Sequence, residues 1–373
     1  MKKRTLQLLA ILALSFSLAA CGEEASVENN KVSEKAETEI ETETETEIET
    51  ETAADESEEP ETREGMYRSE LTNEWIDEAL KDQRPIAVMV DNEKTALPHY
   101  GLTQADVVYE MMNSTKNGKI TRFMALVKDW ESLEQFGSIR SARPTNFLLA
   151  AEWNAMLVHD GGPVYIDEYV AQPYTDNLSG GFSRVNNGKA YEFTEYICTG
   201  DLEKRIKAYG YSTEYSDSFG DAHYNFASEN KPVDLSQNAS LSTAEVIEFP
   251  FPHNGSTLTY DAETQLYYYS EYGSAHLDPQ NDNAQLCFKN VLIQSCAYSV
   301  YDENGYMIFH VYGDKQPGYY ITNGEAIEIT WTKVSATDTT RYYDMDGNEI
   351  TINTGKTYVG IVPSEDWSDL VIK

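Results

Sequence analysis

The stretch "DVVYEMMNSTKNGKITRFMALV" (Asp106–Val127) contains two apolar runs, "DVVYE" and "ITRFMALV", separated by a polar turn. Apolar runs without polar alternation belong to strands covered on both faces. The nine residues "MMNSTKNGK" between them are too few for the crossover that a parallel pair requires, so the two strands run antiparallel. Similar runs occur in "PIAVMVD" (Pro85–Asp91) and "AMLVH" (Ala155–His159), and helical stretches span Pro144–Asn154 and Asp201–Tyr209. The expected fold class is therefore α+β: residues 66–211 form a mixed α/β domain whose sheet is covered by helices, not a doubly wound parallel sheet.

The pattern changes further along. From Ala244 to Lys373, segments such as "QLYYYSEY", "CFKNVLIQSCAYSVY", "AIEITWTK" and "KTYVGIVP" are rich in Tyr, Ile, Val and Thr, with "DENG", "TNGE" and "DMDGN" between them. Successive hairpins follow, giving a smaller antiparallel β-rich domain at 244–373. The polar segment 212–243 reads as a linker.

The chain begins "MKKRTLQLLAILALSFSLAAC", with a basic start, an apolar stretch and small residues before Cys21. This is a secretory signal ending in a lipobox-like sequence, so Cys21 is the expected lipid attachment site; two acyl chains give stable anchoring where one does not. Residues 22–65 carry 18 acidic and 3 basic side chains with a Glu-Thr near-repeat. Such a segment cannot bury a core, and a coil of that length spans on the order of 40 Å, which suits a tether. The chain as a whole has a formal net charge of −35. That field disfavours nucleic acid, and any anionic ligand must be held by a local cluster of cations. After Cys21 there remain Cys198, Cys287 and Cys296, with no C-x-x-C pair; buried thiols are the default, and a Cys287–Cys296 bridge stays open.

Within "GSIRSARPTNFLLA" (Gly137–Ala150), Arg140 and Arg143 stand just before Pro144, which suits the first position of a helix. Guanidinium groups beside free helix amides favour a carboxylate or phosphate; the competing reading pairs the arginines internally with Asp91 or Glu110. Asp91, Asn92, Glu110, His159 and Asp160 each end an apolar run, where ligands gather in open α/β sheets. The candidate ligand-binding set is Arg140, Arg143, Asp91, Asn92, Arg122, Gly161 and Gly162. Glu110, His159 and Asp160 are the candidate acid and base if the protein is an enzyme, although His159 suits a structural histidine better. H-E-x-x-H and G-x-S-x-G are absent from the sequence, and no metal or cofactor is expected.

The segments "RPIAVMVDN", "GLTQADVVYE", "GKITRFMAL", "GSIRSARP" and "VHDGG", followed by "NVLIQ", "ITNGEAIEITWTK" and "DGNEITINTGKTYVGIVP", resemble in order and spacing the YerB-like lipoproteins of Gram-positive bacteria, the domain-of-unknown-function family 3048. The resemblance implies a two-domain lipoprotein on the outer face of the cytoplasmic membrane and assigns no chemistry. Two stretches depart from the family pattern. "NSTKNGKITRF" replaces a Glu-Gly-Gly stretch, and in "GFSRVNNGKAYEFTEY" Glu192 stands where the pattern has a histidine. Three functions follow as expectations: a module binding an anionic cell-wall component or partner protein, a hydrolase or lyase acting on wall glycan or peptide, and a scaffold.

Overall fold

The computed structural model describes residues 62–373 except 218, 220 and 221; Cys21, the expected signal segment and nearly all of the expected acidic tether lie outside the described residues. In the first half the chain forms β1 (Ile86–Asp91), β2 (Val107–Met112), β3 (Thr121–Val127), α1 (Pro144–Ala151), β4 (Met156–His159), α2 (Asp167–Val170), β5 (Asn177–Ser179) and α3 (Asp201–Tyr209). In the second half the main elements are β6 (Ser242–Thr243), β7 (Val246–Glu248), β8 (Thr257–Asp261), β9 (Leu266–Glu271), β10 (Asn290–Cys296), β11 (Tyr298–Val300), β12 (Met307–Phe309), β13 (Gly313–Thr322), β14 (Glu325–Lys333), β15 (Arg341–Tyr343) and β16 (Thr357–Pro363).

β2 and β3 pair antiparallel, with Glu110 opposite Phe123, as the short turn requires. The sheet they belong to extends beyond the first half. Its order is β6-β14-β13-β10-β16-β2-β3-β1-β4-β5, with β15 added beside β14. β16 lies between β10 and β2 and is parallel to both, with Tyr358 opposite Val291 on one side and Val108 on the other. The second half is therefore not purely antiparallel. One sheet crosses from each half of the sequence into the other.

The strands are covered on both faces, but not by helices alone. Side chains alternate along β2, so Tyr109 and Glu110 point to opposite faces. On one face, Tyr109 donates to Glu152 at the end of α1 (2.9 Å) and accepts from Trp153 Nε1 (2.9 Å). On the other face lies a second, antiparallel sheet of six strands built around β7, β8 and β9. It brings Tyr269 and Phe288 against Phe123 and Tyr358 at ring separations of 5.4–6.0 Å. The expectation of a helix-covered sheet is corrected on this face. The apolar runs of β1–β3 show that both faces are buried but not by what, and the alternating residues of β8 and β9 supply a cover as apolar as a helix would.

Each face also holds a buried polar cluster. Glu110 is fully buried and accepts from Thr121 Oγ1 (2.6 Å), Ser256 Oγ (2.7 Å), Tyr358 OH (2.6 Å), Tyr269 OH (3.0 Å) and Asn92 Nδ2 (3.2 Å). On the α1 side, Glu152 pairs with Lys333 Nζ of β14 (3.0 Å) and accepts from Thr340 Oγ1 (2.7 Å), both charged side chains being fully buried. His223, in the polar segment before β6, stacks on Trp153 at 3.5 Å. Cys198, Cys287 and Cys296 are free thiols, which closes the question of a Cys287–Cys296 bridge.

Burial pushes the Glu110 carboxyl up to about 7, against the hydrogen bonds from Thr121 and Tyr358 that favour its ionised form. A carboxyl that holds its proton more tightly when folded loses stability as pH rises, here between its ordinary value near 4.5 and about 7. Glu110→Gln has no such titration. Measured by urea unfolding at pH 5 and pH 8, the parent should lose stability relative to Glu110→Gln at the higher pH. A difference that is constant, or that grows in favour of the parent, contradicts this placement of the proton.

Candidate functional site

The segment after Gly137 runs between the ends of β1 and β4. Asp91 N donates to Ser138 O (3.1 Å), Arg140 N to Met89 O (2.8 Å), Asp160 N to Arg140 O (3.1 Å) and Ala142 N to Gly161 O (3.1 Å). Because β1, β2, β4, β10 and β16 all point the same way, their carboxyl ends share one edge of the sheet. At that edge stand Asp91, Arg122 at the start of β3, Arg140, Arg143 and the Gly161–Gly162 turn. The hairpin β11–β12 follows directly from the end of β10 and reaches the same edge. Its tip is fixed there by Thr115 N to Gly305 O (2.8 Å) and Ser114 Oγ to Asn304 O (2.8 Å).

The two arginines of the opening motif have different fates. Arg140 is internally paired, its Nε 2.7 Å from Asp91 Oδ2 and its Nη2 on Glu192. Glu192, the residue that departs from the family pattern, is thus its second partner. Arg143 is only 5% exposed, and no carboxylate lies within ion-pair distance of it among the described residues. Its Nη1 donates to Ala142 O (2.8 Å) and Ser141 Oγ (3.3 Å), its guanidinium lies 3.9 Å from the centre of the Tyr306 ring, and its Nε has no partner. Arg122 supports it from behind. Arg122 Nη1 donates to Ser141 O (2.6 Å), Ser141 Oγ (3.1 Å) and Asn113 Oδ1 (3.3 Å), and its Nε is likewise without a partner. Burial, then the neighbouring Arg143 charge, lowers Arg122 to about 9, and burial lowers Arg143 as well.

Arg143 opens onto a cleft of about 580 Å³ whose walls include Ser141, Gly162, Tyr165, Tyr301, Asp302 and Tyr306. At Gly162 a Cβ would lie 2.3 Å from Ile166 Cδ1, the end of a flexible side chain, and 3.2 Å from Ala142 O, so a larger residue there would require both to shift. Helix α1 adds less than its sequence suggests. Pro144 has no amide hydrogen, and Asn146 N is already bonded to Arg143 O (3.0 Å).

Of the candidate residues only Arg143 and Gly162 line this cleft. Asn92 turns to the opposite face and joins the Glu110 cluster, which strand alternation separates from Asp91. His159 is buried with both ring nitrogens engaged, Nδ1 on Gly161 O (2.7 Å) and Nε2 on Asn177 Oδ1. Asp160 meets Arg184 Nη2 (3.0 Å), which also contacts Glu195 Oε2 (2.7 Å). A hydrogen bond from Glu195 lowers Asp160, while burial pushes Glu195 up to about 7. Sequence reading missed Tyr165, Tyr301, Asp302 and Tyr306. "DENG" marks a turn correctly, but no local pattern shows that the turn folds back onto an edge built from the first half.

Two family profiles match the chain, both described as "Protein of unknown function (DUF3048)": the N-terminal domain over residues 71–212 and the C-terminal domain over residues 247–359. The chain belongs to the DUF3048 family. Its resemblance to that family in sequence motifs is therefore confirmed over both halves. The "Putative lipoprotein YerB" of Bacillus subtilis (strain 168) is 24% identical over 318 residues, covering 82% of this chain and 89% of that protein. The crystal structure of the B. subtilis YerB protein superposes with a TM-score of 0.69 at 22% identity, covering 82% of this chain and 99% of that one, so the two share a fold. The two arginines of the opening motif are told apart by mutation. Arg140→Ala strands the buried Asp91 carboxylate and should cost roughly 2–3 kcal/mol in chemical unfolding, less than a fully enclosed pair because Arg140 keeps some solvent contact. Arg143→Ala strands no carboxylate and should cost clearly less; equal costs would mean that Arg143 is a structural residue.

Proposed function

We propose that this protein is a lipoprotein tethered through Cys21 to the outer face of the cytoplasmic membrane, and that the Arg143 cleft binds an anionic group of a cell-wall component or of an envelope partner. The tethering half rests on the signal segment, on the similarity to the B. subtilis "Putative lipoprotein YerB", and on an acidic spacer long enough to hold the folded body off the bilayer. No helix among the described residues is long and apolar enough to cross a membrane.

The binding half is carried by one observation: Arg143 is a buried guanidinium with no carboxylate partner and it faces an open cleft. A buried charge is costly, and proteins pair it internally unless something else supplies the counter-charge. Arg122 raises that cost by placing a second unpaired guanidinium beside it. A planar carboxylate or a phosphate satisfies Arg143 in the geometry guanidinium groups favour. The tyrosines around it supply flat apolar faces and hydroxyls, and Asp302 an acceptor, which suits a hydroxylated carrier of the anion such as a sugar. The acid-base reading rests on the unequal Asp160–Glu195 pair alone and is the weaker of the two.

The test is calorimetric titration and thermal unfolding of the purified protein with inorganic phosphate and with N-acetylmuramic acid as probes. The midpoint of the parent should rise with probe concentration, the binding should weaken with added salt, and Arg143→Gln should abolish it. Equal shifts in parent and variant, or affinity that grows with salt, would refute the assignment.

A further inference from the structure

On the other face of the main sheet, away from the cleft, His99, Glu271 and His276 meet in the interior. His99 is 0% exposed, Glu271 2% and His276 3%. One potential ligand atom of each lies within 4.8 Å of the other two, and the imidazole centres of His99 and His276 are 5.0 Å apart.

The hydrogen bonds fix the tautomers. His99 Nε2 lies 2.5 Å from the carbonyl oxygen of Asp91, which only accepts, so that nitrogen carries the proton and Nδ1 presents a lone pair. His276 Nδ1 lies 2.8 Å from Glu271 Oε1; with that carboxylate ionised Nδ1 carries the proton and the lone pair is on Nε2. His99 Nδ1 and His276 Nε2 are the two ring nitrogens of this cluster that are buried without a hydrogen-bond partner. Glu271 Oε2 accepts from Asn254 Nδ2 (3.2 Å), so the carboxylate is held in place from its other side.

The cluster is therefore rich in acceptors. Beside the two unpartnered ring nitrogens stands the Glu271 carboxylate, one oxygen of which lies within 4.8 Å of a ring nitrogen of each histidine. His99 also donates its second N–H outward, to a backbone carbonyl, which is the arrangement that orients histidines bound to metal, whereas His276 Nδ1 meets Glu271, itself one of the three groups. We propose that His99, His276 and Glu271 form a structural site for a divalent transition metal ion of borderline softness, with Zn²⁺ the best match to two imidazole nitrogens and a carboxylate oxygen. The sequence offers no hint of it, because His99 and the other two ligands are more than 170 residues apart. His99 comes from the half matched by the N-terminal family profile, and Glu271 and His276 from the half matched by the C-terminal one. The ion cross-links the two halves, and because its ligands are enclosed it is loaded as the chain folds.

The test uses the purified, untagged full-length chain, unfolded in chelator and refolded with ZnCl₂, with CoCl₂, or in chelator alone. After gel filtration the Zn²⁺ sample should retain one equivalent of metal by elemental analysis and melt several degrees above the chelator sample. The Co²⁺ sample should show visible d–d absorption of the strength found for four- or five-coordinate nitrogen–oxygen sites. His276→Gln and His99→Gln should each lose the retained metal and the absorption, whereas His310→Gln, at an exposed histidine, should keep both. A parent that retains no metal, shows no d–d band and melts identically in all three preparations overturns the proposal and assigns the two lone pairs to a buried water molecule. Retention or a melting shift that persists in both His276→Gln and His99→Gln overturns it too, since the metal is then bound elsewhere.

Discussion

The Glu110 carboxylate is the constraint around which the body is assembled. It is enclosed between two sheets and meets no cation among the described residues, so its oxygens must be satisfied by neutral donors. Those donors come from β3, from the end of β1, from the residue before β8, from β9 and from β16. No single half of the sequence supplies them. A partly satisfied buried cluster is worse than an apolar one, so the second sheet and β16 have to arrive together. On the opposite face the Glu152–Lys333 pair imposes the same demand through α1 and β14. Two adjacent residues of β2, Tyr109 and Glu110, thus reach the two clusters that join the halves.

The position of β16 sets the geometry of the cleft. As a parallel neighbour of both β2 and β10, it sends the end of β10 to the same edge as the ends of β1 and β4. Ligands collect at the carboxyl ends of parallel strands because the chain there is free to vary in loops while the strands hold those loops rigid. The β11–β12 hairpin closes over that edge and buries Arg143 against Tyr306 without giving it a carboxylate. Arg140, a few residues earlier, is ion-paired with Asp91 and Glu192. The difference lies in which strand end each faces: Arg140 meets Asp91 at the end of β1, and Arg143 meets the hairpin.

Much of this was legible from the sequence. The β2–β3 hairpin follows from loop length, α1 and α3 from Pro144 and from the Asp201–Tyr209 pattern, and Asp91, Arg122, Arg140 and Arg143 stood among the candidates, although the sequence did not show that they meet at one edge. What could not be read was long-range. Continuous apolar strands report that both faces are covered but are silent on whether a helix or a second sheet does the covering, and so the β7–β9 cover was not foreseen. Turn residues at Asp302–Gly305 report a reversal of the chain but not its destination. Glu110 looked like a strand-end acid, yet a shift of one residue along a strand moves a side chain to the other face. That parity separates it from Asp91.

Native-state hydrogen exchange across a denaturant series tests most directly the claim that the two halves are one cooperative structure. Amides of β2 (Val107–Met112), β10 (Asn290–Cys296) and β16 (Thr357–Pro363) should lose protection in a single step with one common free energy and one common denaturant dependence. Exchange of β10 and β16 at low denaturant, while β1, β2 and β3 remain protected, would contradict the shared sheet as the source of stability and would make the second half a separately folding domain.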